Sequence, residues 1–295
     1  MAHTLGQRAM AGLADGRALH YMRGGAGQPT VVFESGLGAS RSEWGLVAPL
    51  VAQHFSTVVY DRANLGRSDP DAAPRTLERL TSDLGELLTA LGRGPYILVG
   101  HSYGGTIALS AALQDRSHVA GLVLVDHSDE HVNVCCGSPL KQLRRIAAAG
   151  RWFVGLLRRL HLVTLAVHRA APGMPADVVH DLVAEDLTVD AEGAADAEER
   201  FFIEGLQSLR RRGHDLGAVP VTVISGTKTT PWDRSLRMEF LKAHRLTAAH
   251  LRARHVLARK SGHLVVFTEP QLIADEIVRI AARAVPESAQ PPGPR

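Results

Sequence analysis

At 295 residues the chain has room for one large domain or two ordinary ones, and 45% hydrophobic residues suffice for a sizeable core, which excludes a disordered chain. Net charge is only +3, with acids and bases interspersed, so nucleic acid is not an expected partner. No basic-then-apolar leader precedes the first strand, and no uncharged apolar run reaches the roughly 18 residues of a spanning helix; a cytoplasmic protein without stable membrane insertion is expected. The only cysteines, Cys135 and Cys136, are adjacent. A bond between neighbours is strained and closes no useful loop, and two thiols fall short of a zinc site.

Residues 1–12 show no pattern and read as a loose start. Arg17 to Met22, bounded by glycines, predicts a strand of an antiparallel hairpin. Thr30-Val31-Val32-Phe33 predicts a short buried strand that runs into Glu34-Ser35-Gly36-Leu37-Gly38. Trp44, Val47, Leu50 and Val51 then fall at helical spacing. Thr57 to Tyr60 is the next buried strand, ending at Asp61-Arg62. Leu77, Leu80, Leu84, Leu87, Leu88 and Leu91 mark one face of a helix closed by Gly92. The apolar run Tyr96 to Val99 stops at Gly100, and helical pattern resumes by Thr106. Val119 to Val125 is a further strand, ending at Asp126. Continuous β-branched strands alternating with helices imply an α/β fold, a parallel sheet covered on both faces.

Between about Glu130 and Gly217 this rhythm stops. Ile146 to Ala171 is rich in Trp, Phe, Leu and Val with arginines between them, and Asp190 to Arg200 is acidic and alanine-rich. The segment reads as helices inserted after the sixth strand. Three uses are open for Trp152, Phe153, Leu156, Leu157 and Leu160: packing onto the main domain, a cap roofing an apolar pocket, or a basic amphipathic face on a membrane. Strand pattern returns at Val219 to Ile224, a helix is expected at Ser235 to His244, and His255 to Ala258 leads into Ser261-Gly262-His263. Thr268 and Gln271 have capping-box spacing for a last helix that faces Leu272, Ile273, Ile277 and Ile280 inward. The expected division is a core of 13–129 and 217–285, a helical cap at 130–216 and a disordered tail at 286–295.

Gly100-His101-Ser102-Tyr103-Gly104, between a strand and a helix, has the form of a nucleophile elbow with Ser102 at its tip. A glycine-rich turn whose serine caps the helix would read the same way. An alcohol is a weak nucleophile at neutral pH and needs a base, which in turn needs an orienting group. His263, just past the last strand, shares the C-terminal sheet edge with Ser102. His101 should point away from the nucleophile and serve packing, and Asp61 and Arg62 read as a structural turn pair.

The stretch Val32 to Ser40, Tyr60 to Ser68, the elbow, and Ser261-Gly262-His263 occur in the order and spacing of the α/β-hydrolase fold superfamily, which the chain resembles from about Gly16 to Val285 outside the insertion. The resemblance implies an eight-stranded, mostly parallel sheet and a serine hydrolase that cleaves an ester or related acyl bond. Ser102 would attack and His263 would act as base. The N–H groups of Tyr103 and, by resemblance, Leu37 would bind the oxyanion. The acid departs from the common pattern, because Thr229 stands where many relatives have an aspartate after the seventh strand. Asp126, at a rigid strand end, is favoured over Asp233. The implied partner is a small apolar acyl substrate, with no metal or organic cofactor. A serine at the elbow argues against the dehalogenases and epoxide hydrolases of this fold, whose nucleophile is an aspartate. Thioesterase or acyltransferase activity, a cofactor-free lyase or cyclase, and a binding protein remain as alternatives.

Overall fold

The computed structural model describes residues 2–132, 149–150 and 152–284. Cys135, Cys136, Ile146 and the tail from Pro286 lie outside them. The strands are β1 (Gln7–Gly12), β2 (Ala18–Gly24), β3 (Thr30–Glu34), β4 (Thr57–Tyr60), β5 (Tyr96–His101), β6 (Val119–Val125), β7 (Val221–Gly226) and β8 (Arg254–Ala258). Among the described residues they form one eight-stranded sheet in the order β1-β2-β4-β3-β5-β6-β7-β8. Only the β1–β2 and β2–β4 pairings are antiparallel. All the others are parallel.

Strand periodicity explains the two cores. On β3, β5 and β6, Val32, Leu98, Leu122 and Leu124 face one side. Val31, Phe33, Ile97, Val99, Val123 and Val125 face the other. With both faces buried, the strands carry no polar alternation, which is why they read as unbroken apolar runs. On the first face lie α2 (Leu77–Leu91) and α3 (Tyr103–Gln114), where Leu77, Leu80, Leu84 and Leu87 are buried as their spacing requires. Thr76 caps α2 by accepting the Arg79 N–H, and Gly92 ends it at φ 112°.

Several local expectations are corrected. Within the expected loose start at 1–12, Gln7–Gly12 is ordered: β1 pairs with β2 at the sheet edge, and most of its side chains are exposed, so no apolar pattern announces it. The spacing at Trp44 to Val51 yields a tight turn, Arg41–Trp44, and a single-turn α1 (Ala48–Val51) rather than one helix. The Ser235–His244 helix is longer, as α8 (Arg234–His250). Thr268 and Gln271 form no capping box. Thr268 ends the short α9 (Val265–Thr268), and α10 (Pro270–Ala284) starts on a proline, which suits a first helical position. The Thr268 hydroxyl donates to Ser261 Oγ, and Gln271 donates to Asp275.

The described residues between β6 and β7 include the helices α4 at 152–159, α5 (Val163–Ala170), α6 (Ala176–Asp181) and α7 (Val189–Arg211). Helix α7 lays Phe202, Leu206 and Leu209 on the core beside α2, whereas Trp152, Phe153 and Leu160 are exposed. No described helix is long and apolar enough to cross a membrane.

Candidate active site

The corner between β5 and α3 leaves no room for side chains. A Cβ on Gly100 would run into Gly104 O and Gly105 Cα, and one on Gly104 into the carbonyls of Glu34 and Ser35. Ser102 sits between them at φ 53°, ψ −125°, a strained conformation for a residue with a Cβ. Its side chain makes no capping bond to α3, so the helix-cap reading does not hold. The Ser102 hydroxyl instead lies 3.0 Å from His263 Nε2. The Ser102 N–H is anchored on Val125 O at 3.1 Å, and its carbonyl accepts the Ser128 N–H at 2.9 Å. The backbone around β6 thus holds the strained corner from the neighbouring strand.

His263 occupies the loop between β8 and α9, and its Nδ1 lies 2.7 Å from Asp126 Oδ2. A carboxylate accepts, so Nδ1 carries the proton and Nε2 offers its lone pair to the serine hydroxyl. Asp126 follows β6 at φ 41°, a second non-glycine residue held at positive φ within this site. It is fully buried. Besides His263 it accepts the Gly226 N–H at 2.9 Å and the Arg237 guanidinium at 2.6 and 2.7 Å. Burial opposes its charge, but the His263 hydrogen bond and the Arg237 cation hold the carboxyl well below the usual range. His263 keeps 43% of its side chain open to solvent. Desolvation by the surrounding protein lowers its pKa, and the nearby His101 adds to this against the opposing pull of Asp126.

Asp233 is not brought to this cluster. It precedes α8, where its carboxylate accepts the Thr230 N–H at 2.5 Å. Arg237, one turn further along α8, is the residue that reaches Asp126; nothing in its local sequence marks it.

The Glu34–Gly38 loop comes up against the elbow, with the Cβ position of Gly36 only 3.4 Å from Ser102 Cβ. Its shape is fixed by buried charges. Arg62 donates to the carbonyls of Ser35 and Gly36 at 2.7 Å and to Glu34 and Glu198. Glu198, on α7, also accepts the Gly38 N–H at 2.9 Å. Glu43 accepts the Gly36 N–H at 2.7 Å. Among the described residues, the N–H groups of Leu37 and Tyr103 have no protein acceptor, so both are free to donate. The Tyr103 ring is buried edge-on against Phe202.

Asp61 and Arg62 do not pair with each other. Asp61 accepts from His20 and Arg41, while Arg62 serves the loop as described. His101 does turn away from Ser102, but it is more than packing. Its Nδ1 faces Glu43 at 2.8 Å and its Nε2 the main-chain oxygen of His263 at 3.0 Å. Glu43, Glu198, Arg237 and the His101 link are the site features that the sequence pattern left unseen; only their placement on buried faces could have hinted at them.

Residues 31–276 match the family model described as "Alpha/beta hydrolase family". The chain is similar to "Putative carbamate hydrolase RutD" of Caulobacter vibrioides (strain NA1000 / CB15N), at 35% identity over 46% of this chain and 53% of that protein. It is also similar to "Uncharacterized protein YqjL" of Bacillus subtilis, at 36% identity over 38% of this chain and 45% of that protein. The chain therefore spans about half the length of these curated relatives. A solved structure of the epoxide hydrolase CorEH superposes with a TM-score of 0.69 at 20% identity, covering 95% of this chain and 99% of that one. At this identity the likeness concerns the fold.

Proposed function

The chain belongs to the alpha/beta hydrolase family, and within it we propose that it is a serine hydrolase cleaving an ester or related acyl bond through an acyl-enzyme on Ser102. The observation that carries this reading is the hydrogen-bonded chain Ser102–His263–Asp126, at 3.0 and 2.7 Å. His263 takes the hydroxyl proton as Ser102 Oγ bonds to the carbonyl carbon, and Asp126 stabilises the imidazolium. The oxyanion receives the N–H groups of Leu37 and Tyr103. His263 then gives the proton to the leaving group, and water, activated by the same ring, releases the acid. The similarity to RutD, whose name denotes a carbamate hydrolase, agrees with attack on an acyl carbon bearing a heteroatom. The serine nucleophile sets the chain apart from epoxide hydrolases that use an aspartate, despite the shared fold.

The inserted segment 130–216 is, in this reading, a cap over an apolar acyl pocket on the core of 13–129 and 217–285. Support comes from α7, whose Glu198 reaches the Gly38 N–H beside the proposed oxyanion donors. Labelling with a fluorophosphonate tests the nucleophile: wild type is expected to be modified and Ser102→Ala not. Folded wild type that resists the reagent overturns the acyl-enzyme. A panel of p-nitrophenyl esters tests the cap, with longer acyl chains expected to be preferred over acetyl; the reverse order removes the apolar pocket.

A further inference from the structure

The first helices of the insertion turn an apolar face outward. Trp152, Phe153, Leu160, Leu162 and Leu165 are each between 41% and 70% exposed. Single exposed apolar residues are ordinary on a protein surface, but here five large ones fall within 14 residues of chain. Their neighbours already supply the packing. Leu157 of α4 rests against the core on the Val31 and Phe33 side of the sheet, where Val163 and Val167 of α5 are buried. Of the uses open to this segment, packing onto the main domain thus accounts for Leu157 and leaves Trp152, Phe153 and Leu160 on the outside.

The same stretch carries one sign of charge. From His131 to Ala176 the sequence has seven lysines and arginines and no aspartate or glutamate, although the whole chain is only +3. Among the described residues these bases are Arg158, Arg159 and Arg169, and the last two are exposed. Helix α7 brings Glu192 and Asp196 alongside α4. Arg158 bonds to Glu192 and neutralises it, so the stretch keeps an excess of positive charge.

We infer that this outer face of the insertion, Trp152, Phe153, Leu160, Leu162 and Leu165 with Arg159 and Arg169, docks on a lipid bilayer that carries anionic headgroups. Apolar side chains reaching into the boundary between headgroups and acyl chains, with arginines beside them on the phosphates, suit helices that lie in the interface. Tryptophan favours that depth, because its ring is apolar and its N–H polar. A second copy of the chain is a poorer occupant, since a two-fold contact brings the same positive patch against itself. Nucleic acid would satisfy the arginines and leave the apolar side chains in water. The attachment is peripheral and reversible, as no described helix is long and apolar enough to cross a membrane.

The test is co-sedimentation of the full-length protein with vesicles of equal parts phosphatidylcholine and phosphatidylglycerol, against vesicles of phosphatidylcholine alone. Wild type is expected to sediment with the anionic vesicles and to stay in solution with the neutral ones. Phe153→Ser and Leu160→Ser should each weaken binding about 10-fold, the scale of withdrawing part of one apolar side chain from the boundary. Arg159→Gln should weaken it roughly 5-fold. Met10→Ser, which removes an exposed apolar residue from β1, should bind as wild type does. The substituted side chains are exposed, and lipid-free thermal unfolding checks that each variant is folded. Failure of wild type to bind anionic vesicles overturns the proposal, as does equal binding to both vesicle types. Wild-type affinity in both Phe153→Ser and Leu160→Ser, or an equal loss in Met10→Ser, overturns it too. A lipid-free dimer that Leu160→Ser dissociates assigns the face to a second copy instead. No readout depends on ester turnover, so failure here leaves the Ser102 reading intact.

Discussion

His101 grips His263 by its backbone: the Nε2 of one lies 3.0 Å from the main-chain oxygen of the other, and the rings are 4.8 Å apart. A carbonyl can only accept, so Nε2 carries a proton. Nδ1 faces the Glu43 carboxylate at 2.8 Å and needs a proton as well. His101 is therefore an imidazolium. Burial disfavours that charge, but Glu43 outweighs it and raises the His101 pKa. The buried pair fixes the loop that carries the proposed base and sets a positive charge beside it.

Replacing His101 by Gln should lower kcat on an ester substrate by roughly 10- to 100-fold, the scale of an ångström-level misplacement. The pH profile separates positioning from simple loss of structure. The His101 cation lowers the His263 pKa, so removing it should raise that pKa and move the acidic limb of kcat/KM to higher pH. A rate loss with an unmoved limb would leave His101 a purely structural residue.

Asp126→Asn should reduce ester turnover by about 10³- to 10⁴-fold, since the amide favours the wrong tautomer of the base. Asp233→Asn should stay close to wild type, because its carboxylate accepts the Thr230 N–H in the turn before α8, away from His263. Steady-state kinetics of the two variants decide the assignment; a deficit confined to Asp233→Asn reverses it.

Glu198→Ala should destabilise the protein by about 1–3 kcal/mol, the scale of leaving buried donors unsatisfied. Arg62, only 2% exposed, keeps Glu34 but loses both hydrogen bonds to Glu198. The freed Gly38 N–H loosens the Leu37 loop, so kcat should fall more than KM rises. Urea unfolding and kinetics on the same preparation check both effects.

Asp186 gives a pH dependence of stability. Burial, with Asp61 and Glu185 nearby, outweighs hydrogen bonding by the Ser40 side chain and N–H and pushes its pKa up to about 7. The unfolded chain releases this proton near pH ~4, so between the two values the native state holds the extra proton and stability falls as pH rises. Asp186→Asn should therefore unfold at higher temperature than wild type at pH 8, and at nearly the same temperature at pH 4. Equal differences at both pH values would exclude the titration.

Much of the fold is written in local pattern. Strands buried on both faces must be apolar throughout, and Gly100 and Gly104 are required wherever the chain crosses itself so closely. Those constraints act within a few residues, so the elbow, the parallel sheet and the position of His263 were legible. The edge strand β1 was not, because its exposed side chains carry no periodicity.

Long-range partners were legible only in part. Local sequence could rank Asp126 over Asp233 by the rigidity of a strand end, but it contained nothing about Arg237, which arrives from α8 to hold that carboxylate. Glu43, Glu198 and His101 likewise acquire their roles only when separate segments close around the Glu34–Gly38 loop. The sequence by itself determined the scaffold and the corner that presents Ser102, through sterics and hydrophobic periodicity. Tertiary structure decided which carboxylate stands behind His263, because hydrogen bonding and burial depend on distances that no spacing along the chain encodes.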